Sequence, residues 1–241
     1  MKVIAHRGYS GLYPENTMLA FKKAAEAGCD GIEMDVQLSK DGQVVIIHDE
    51  TVDRVTGSSG LVRELTVHEL QKLNASGKFG EQFGFNTIPT LDEYCGWVKN
   101  LGIFTNIELK CNQFFYEGLA EETITVVKKH GIEDRVLFSS FNHVSLLDCK
   151  KIAPGIPCGI LVAGNGIGNA GYYAASHGLE YYHPDIETLT REAVEDCRSR
   201  GIKLNVYTVN DMEGLITLKT LGCDGIITNF PDVCKKWLDS V

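Results

Sequence analysis

Eight strand-like runs, each followed by a helical stretch, predict a (β/α)8 barrel of the TIM type with a small insertion after the second strand. A second observation supports it: glycines at 28, 102, 131, 178, 201 and 222 stop the helices just before the next strand. A doubly wound open sheet is the competing arrangement of the same pattern. The strand-like runs cover 3–6, 30–36, 104–110, 135–140, 157–162, 180–183, 203–208 and 224–228. The clearest helical stretches are 15–28, 115–130, 143–152, 189–200, 211–221 and 231–239. No internal repeat stands out. About 50 residues separate the second strand from its helix, and Thr66 to Leu70 reads as a short capped helix among them. The 241 residues are read as one domain, 1–241, with the insertion at about 50–90. A long β-to-α connection of this kind falls on the C-terminal face of a barrel, where it shapes the mouth.

The polar residues gather at strand ends. Side chains alternate along a strand, so Glu33 and Asp35 point to one side, and buried like charges there repel unless a cation intervenes. Lys40-Asp41-Gly42 is a hairpin turn, and the returning run Val44 to Ile47 brings His48 towards these acids. Glu108 and Lys110 share a face at the end of the third strand. A Glu–Lys ion pair would be structural, but three inward carboxylates exceed what one lysine neutralises, and the excess favours a metal ion. Carboxylate donors without cysteine or clustered histidine suit Mg2+ or Ca2+ better than zinc.

His6 ends the first strand and is by position alone either a core histidine or a catalytic group. Beside a metal, His6 and His48 form a candidate proton-transfer pair, because imidazole titrates near neutral pH. Arg7 and Lys110 supply fixed positive charge for an anionic substrate. With no nucleophilic Ser or Cys motif, this set points to phosphate-ester chemistry. Thr17 reads as a helix cap, whereas His68, His130, His143 and His177 read as surface residues.

The bulk composition excludes other classes. Lysine and arginine number 23 against 32 acids, a net charge of −9, which argues against nucleic acid or an anionic membrane as partner. No stretch approaches the roughly 18 apolar residues of a membrane span, so no stable membrane anchoring is expected. The N-terminal apolar run is too short for a signal peptide. The eight cysteines lie singly, with no Cys-x-x-Cys, as reduced core thiols of a cytoplasmic protein would. Oligomeric state is not legible.

The run His6-Arg7-Gly8, Pro14-Glu15-Asn16-Thr17, Glu33-Met34-Asp35-Val36, Lys40-Asp41-Gly42, His48-Asp49 and Arg54-Val55-Thr56 resembles the glycerophosphodiester phosphodiesterases. The likeness continues through Glu108-Leu109-Lys110, Ser139-Ser140-Phe141, Thr208-Val209-Asn210 and Thr228-Asn229-Phe230-Pro231-Asp232. It implies a barrel enzyme that uses a divalent cation to hydrolyse small glycerophosphodiesters to an alcohol and sn-glycerol 3-phosphate. On the matching positions it implies His6 and His48 as general acid and base. Glu33, Asp35 and Glu108 match metal ligands, and Arg7 and Lys110 match phosphate contacts. The resemblance also places Glu15 and Asn16 near the metal and His183 in the substrate pocket. Tyr207 stands where many relatives carry Trp, which bears on substrate preference. A phospholipase-D-like lysophospholipid phosphodiesterase and a non-catalytic glycerophosphodiester-binding module are the alternatives.

Overall fold

The computed structural model describes residues 1–240, apart from the side chain of Lys78. Eight parallel strands close into a barrel: β1 (Lys2–Ala5), β2 (Gly31–Leu38), β4 (Phe104–Leu109), β5 (Val136–Ser140), β6 (Cys158–Val162), β7 (Tyr181–Pro184), β8 (Lys203–Val206) and β9 (Gly225–Thr228). β1 completes the ring by pairing with β9 along its whole length and with β2 through Ile4 opposite Gly31. β3 (Val44–Ile46) is the antiparallel return of the hairpin on β2. The strand periods read from the sequence therefore locate the barrel, and the closed ring excludes the open sheet.

Alternation decides which side chains meet. Val3, Ile32, Met34, Ile107, Phe138, Ile160, Tyr182, Leu204 and Ile226 face outward into one continuous core beneath the helices. Those helices are α1 (Met18–Glu26), α4 (Leu91–Val98), α5 (Leu119–His130), α6 (His143–Ile152), α7 (Ala170–Ser176), α8 (Arg191–Ser199), α9 (Met212–Leu221) and α10 (Pro231–Leu238). All eight cysteines are free and buried. Burial pushes the thiols of Cys29, Cys95 and Cys197 up to about 12.

The insertion carries α2 (Asp53–Thr56) and α3 (Val67–Leu70), the latter opened by the capping box of Thr66 and Glu69. It folds over a small core of its own, in which Val45, Ile47, Val52, Val55, Val62, Leu70, Ala75 and Ile88 pack together. α1 starts at Met18, later than the sequence pattern suggests, because Thr17 caps it and Asn16 sits in a left-handed turn with φ +55°.

A short repeat does exist. Gly-Cys-Asp-Gly-Ile occurs at 28–32 and again at 222–226. Gly28 and Gly222 each end a helix at φ +75° and +72°. Asp30 then accepts the Val3 amide and Asp224 the Leu204 amide, both at 2.9 Å, tying each new strand to its neighbour. A Cβ on Gly225 would stand 2.4 Å from Asn205 Oδ1. Five residues are too few to register as an internal repeat, yet both copies do the same structural work.

Candidate active site

The C-terminal ends of β1, β2, β3, β4, β5, β6, β8 and β9 converge on a cavity of about 140 Å³ whose lining includes His6, Arg7, Glu33, His48, Asn106, Glu108, Phe141, Leu161 and Tyr207. Glu33, Asp35 and Glu108 are buried, and one carboxylate oxygen from each lies within 4.8 Å of the other two. Burial, with Asp35 and Glu108 nearby, pushes the Glu33 carboxyl well above its ordinary range. Burial opposes ionisation of Asp35 as well, but Arg7 and Lys110 outweigh it and hold that group down to about 2. Burial and Asp35 raise Glu108 despite Lys110, whose Nζ donates to it at 2.9 Å. The two cations thus leave one carboxyl of the trio without a counter-charge. Three hard oxygen donors with one negative charge in excess fit a divalent cation, which would hold on Glu33, Asp35 and Glu108.

Arg7 adopts φ +56°, a conformation that costs a non-glycine residue about 1–2 kcal/mol. The turn lets its amide donate to Glu33 Oε2 at 2.8 Å while its guanidinium reaches Glu15 at 2.9 Å and Asp35 at 3.4 Å. Asn16, in its own left-handed turn, donates from Nδ2 to Asp35 Oδ2 at 2.8 Å. Two strained residues, joined by the Asn16 backbone amide donating to the Arg7 carbonyl at 3.0 Å, therefore brace the acids from the β1–α1 loop.

The two histidines are oriented differently. His6 Nδ1–H donates to Asn229 Oδ1 at 2.7 Å, which leaves Nε2 as the acceptor nitrogen. Burial, followed by the charge of Arg7, lowers its pKa to about 4, so the ring is neutral. His48 is paired through Nδ1 with Asp49 Oδ1 at 2.6 Å. Its backbone is strapped by the buried Gln37 amide, which donates to the carbonyls of Ile47, His48 and Asp49 at 3.0, 3.2 and 2.7 Å.

Other expected residues separate. Glu15 is buried and bridges Arg7 and Arg54, outside the cavity lining. Burial works against its ionisation, but the Arg54 and Arg7 contacts keep it well below the usual carboxylate range. Tyr207 presents its ring to the cavity, edge-on to Phe141 at 6.2 Å, with its hydroxyl spent on the Val162 carbonyl at 2.6 Å. His183 is fully buried and absent from the lining, in contrast to the expected pocket role. It turns towards Gly159, where a Cβ would stand 2.7 Å from its Nε2, and meets Asn205 Nδ2 at 3.2 Å. Burial lowers its pKa to about 3. His68 and His177 are exposed as expected, but His130 and His143 are half-buried, bonded to Asp92 and to Tyr173 with the Leu161 carbonyl.

Asn106, Phe141 and Leu161 line the cavity, and Gln37, Asp49 and Arg54 surround His48, with none of the six singled out as a site residue by strand position or resemblance. Parity was the available signal for two of them: Gln37 continues the 33, 35 face, and Asn106 shares that of Glu108. Leu161 offers no signal at all.

Two imidazoles, fixed cations and hard oxygen donors around one small mouth suit a barrel enzyme that acts on phosphate esters. Residues 6–233 match the glycerophosphoryl diester phosphodiesterase family, and the chain belongs to it. It is 44% identical over 230 residues to a glycerophosphodiester phosphodiesterase of Caldanaerobacter subterraneus subsp. tengcongensis, covering 95% of this chain and 94% of that one. A glycerophosphodiester phosphodiesterase of Bacillus altitudinis is 42% identical over 238 residues, covering 98% and 97%. Among solved structures, a phosphodiesterase of Oleispira antarctica in complex with its product sn-glycerol-3-phosphate superposes with a TM-score of 0.90. It is 33% identical, with 99% of this chain and 97% of that one covered.

Proposed function

We propose that this enzyme hydrolyses glycerophosphodiesters to an alcohol and sn-glycerol 3-phosphate, with His6 and His48 transferring the protons and a Mg2+ or Ca2+ ion held by Glu33, Asp35 and Glu108. The observation that carries this is the pair of imidazoles, each fixed through Nδ1, on the cavity lined by Glu33 and Glu108. The product found in the Oleispira enzyme supports the substrate class. A divalent cation bound there supplies Lewis-acid polarisation of a phosphate oxygen.

The chain's own residues do the rest. His6, neutral and with Nε2 free of a protein partner, accepts a proton from the attacking hydroxyl. His48 delivers one to the departing alcohol, and Asp49 provides the counter-charge while the ring carries it. Arg7 and Lys110 offset the negative charge that develops at phosphorus. The attacking group is the substrate's glycerol 2-hydroxyl: an internal nucleophile gains effective molarities of roughly 10⁵–10⁸ M when well oriented. A cyclic 1,2-phosphate results, and water opens it with the histidine roles exchanged. Asn16 serves this scheme by orienting Asp35, and the Phe141–Tyr207 edge borders the space for the leaving alcohol.

The test is turnover on a panel of glycerophosphodiesters beside lysophosphatidylcholine, with Mg2+, Ca2+ or chelator. Metal-dependent release of sn-glycerol 3-phosphate is expected, and preferential cleavage of the lysolipid would replace the assignment. A diester of 2-deoxyglycerol cleaved as fast as its parent would make water the attacking species.

A further inference from the structure

We propose that Arg54 is a positioning residue for His48, acting through Asp49, so that the insertion gives the active site an orienting arm. This rests on the proton-transfer reading of His48 given above.

Arg54 lies on α2, in the insertion, and uses both edges of its guanidinium. One edge forks onto Asp49, with Nε and Nη2 donating to Oδ2 and Oδ1 at 2.6 and 3.1 Å. The other forks onto Glu15, with Nη1 and Nη2 donating to Oε2 and Oε1 at 2.7 and 2.8 Å. Glu15 in turn takes Arg7, and Arg7 leans on Asp35. Charges of alternating sign therefore run in an arc from the carboxylate trio, through Asp35, Arg7, Glu15, Arg54 and Asp49, and the last of these meets the His48 ring.

The arc matters because an imidazole is ambiguous. Its ring can turn, and either nitrogen can carry the proton. Asp49 accepts only, so it selects Nδ1–H and leaves Nε2 for the cavity. A lone carboxylate on the rim, 29% exposed, would itself rotate and hydrate. The guanidinium fork occupies both its oxygens and fixes its plane, which a lysine cannot do. With Gln37 holding the backbone and Asp49 the ring, His48 keeps one geometry.

A plain staple between insertion and barrel is the competing role. The fork onto buried Glu15 can act as a staple, but the fork onto Asp49 joins side chains 41% and 29% exposed, and ion pairs at such exposure contribute little to stability, so the consequence of that fork lies in orientation. A staple would act on stability and substrate affinity regardless of His48. A positioning residue acts only while His48 is present.

A double-mutant cycle on the metal-saturated enzyme separates the two. Arg54→Ala is expected to lower kcat about 10–100-fold, the usual range for a residue that orients another's chemistry. KM should stay within about three-fold of the parent, and in a His48→Ala background the same change should cost less than about two-fold. Arg54→Lys, with charge but no fork, should stay nearer Arg54→Ala than the parent. Asp49→Asn keeps the side chain's shape, loses the fork, and should give the same pattern should Arg54→Ala fold poorly. At a pH high enough for the ring to have released its transferable proton, ring nitrogen NMR should find His48 as the single Nδ1–H tautomer in the parent and a mixture in Arg54→Ala. Equal losses in both backgrounds, or an unchanged kcat, overturn the positioning role and leave the proton-transfer reading standing. Near-parental turnover of His48→Ala overturns both.

Discussion

The two ends of the barrel invite opposite guesses about where chemistry occurs. The N-terminal end holds the roomier opening, about 700 Å³, with Lys2, Lys203, Lys219 and Lys235 around it. The C-terminal end offers about 140 Å³. At the large cleft, charges are satisfied nearby. Lys235 meets Asp30 at 3.3 Å, Lys203 and Lys219 lie over the rings of Tyr181 and Trp237, and Asp30 and Asp224 hold strand amides. At the small cavity charges are crowded, buried and unbalanced, and two residues accept left-handed backbone to keep them there. Convergence of uncompensated groups, rather than volume, marks the C-terminal end as the candidate reacting end.

Substitutions should split along the same line. The largest effect is expected from Asp35→Asn, which removes one carboxylate of the trio. Calorimetric titration should show much weakened binding of the divalent cation, with turnover down by several orders of magnitude. Unchanged affinity would mean the trio is not the ion's site. Next comes His6→Ala, expected to cost roughly 10²–10⁴-fold in kcat, the range for one general acid–base group, while cation affinity is kept. A loss confined to KM would make His6 a binding group instead.

The third effect concerns stability without metal. The folded pKa of Glu33 is raised, so the folded state takes up more protons than the unfolded one, and stability falls as pH rises. The penalty is absent below the unfolded value of about 4.3 and grows until the folded pKa is passed. Metal-free Glu33→Gln should therefore melt above the parent at pH 7.5, by about 2–4 °C for each kcal/mol relieved. The gap should close on acidification towards pH 4. A gap that is absent, or constant with pH, would remove the crowding argument for this end of the barrel.

The smallest effects on activity belong to the other end. Asp224→Ala should cost about 1–2 kcal/mol in denaturant unfolding by stranding the Leu204 amide, with kcat/KM unchanged. Lys203→Ala should move stability by no more than about 0.5 kcal/mol. A large activity loss from either would mean that the N-terminal cleft takes part in the reaction.

Much of this was legible from residues alone, because two periodicities carry the information. Alternation in Glu33-Met34-Asp35 and Glu108-Leu109-Lys110 puts acids inward and apolar residues outward, as in the barrel. Left-handed glycine stops at 28, 131, 178, 201 and 222 mark five returns to the sheet, whereas α4 is capped by Lys99 rather than by the expected Gly102 and α6 by Ala153. What stayed hidden depends on side-chain direction beyond parity. His183 shares the inward parity of its strand, yet the space left by Gly159 draws its ring away from the mouth. Glu15 and Arg54 are 39 residues apart and meet only because the insertion folds back over the β1–α1 loop. Thr17 could be read as a cap, but the adjacent left-handed Asn16 could not.

The buried thiols give the barrel a built-in chronometer. A thiol reacts as thiolate, and groups held near 12 are almost wholly protonated at pH 8, besides being shielded from reagents. Alkylation must then wait for each sector of the wall to open. Cys29, Cys95, Cys149, Cys158, Cys197, Cys223 and Cys234 are distributed around that wall, so the order in which a mass spectrometer sees them labelled reads the sequence of openings directly. A barrel that opens all at once should acquire its labels together, at one rate.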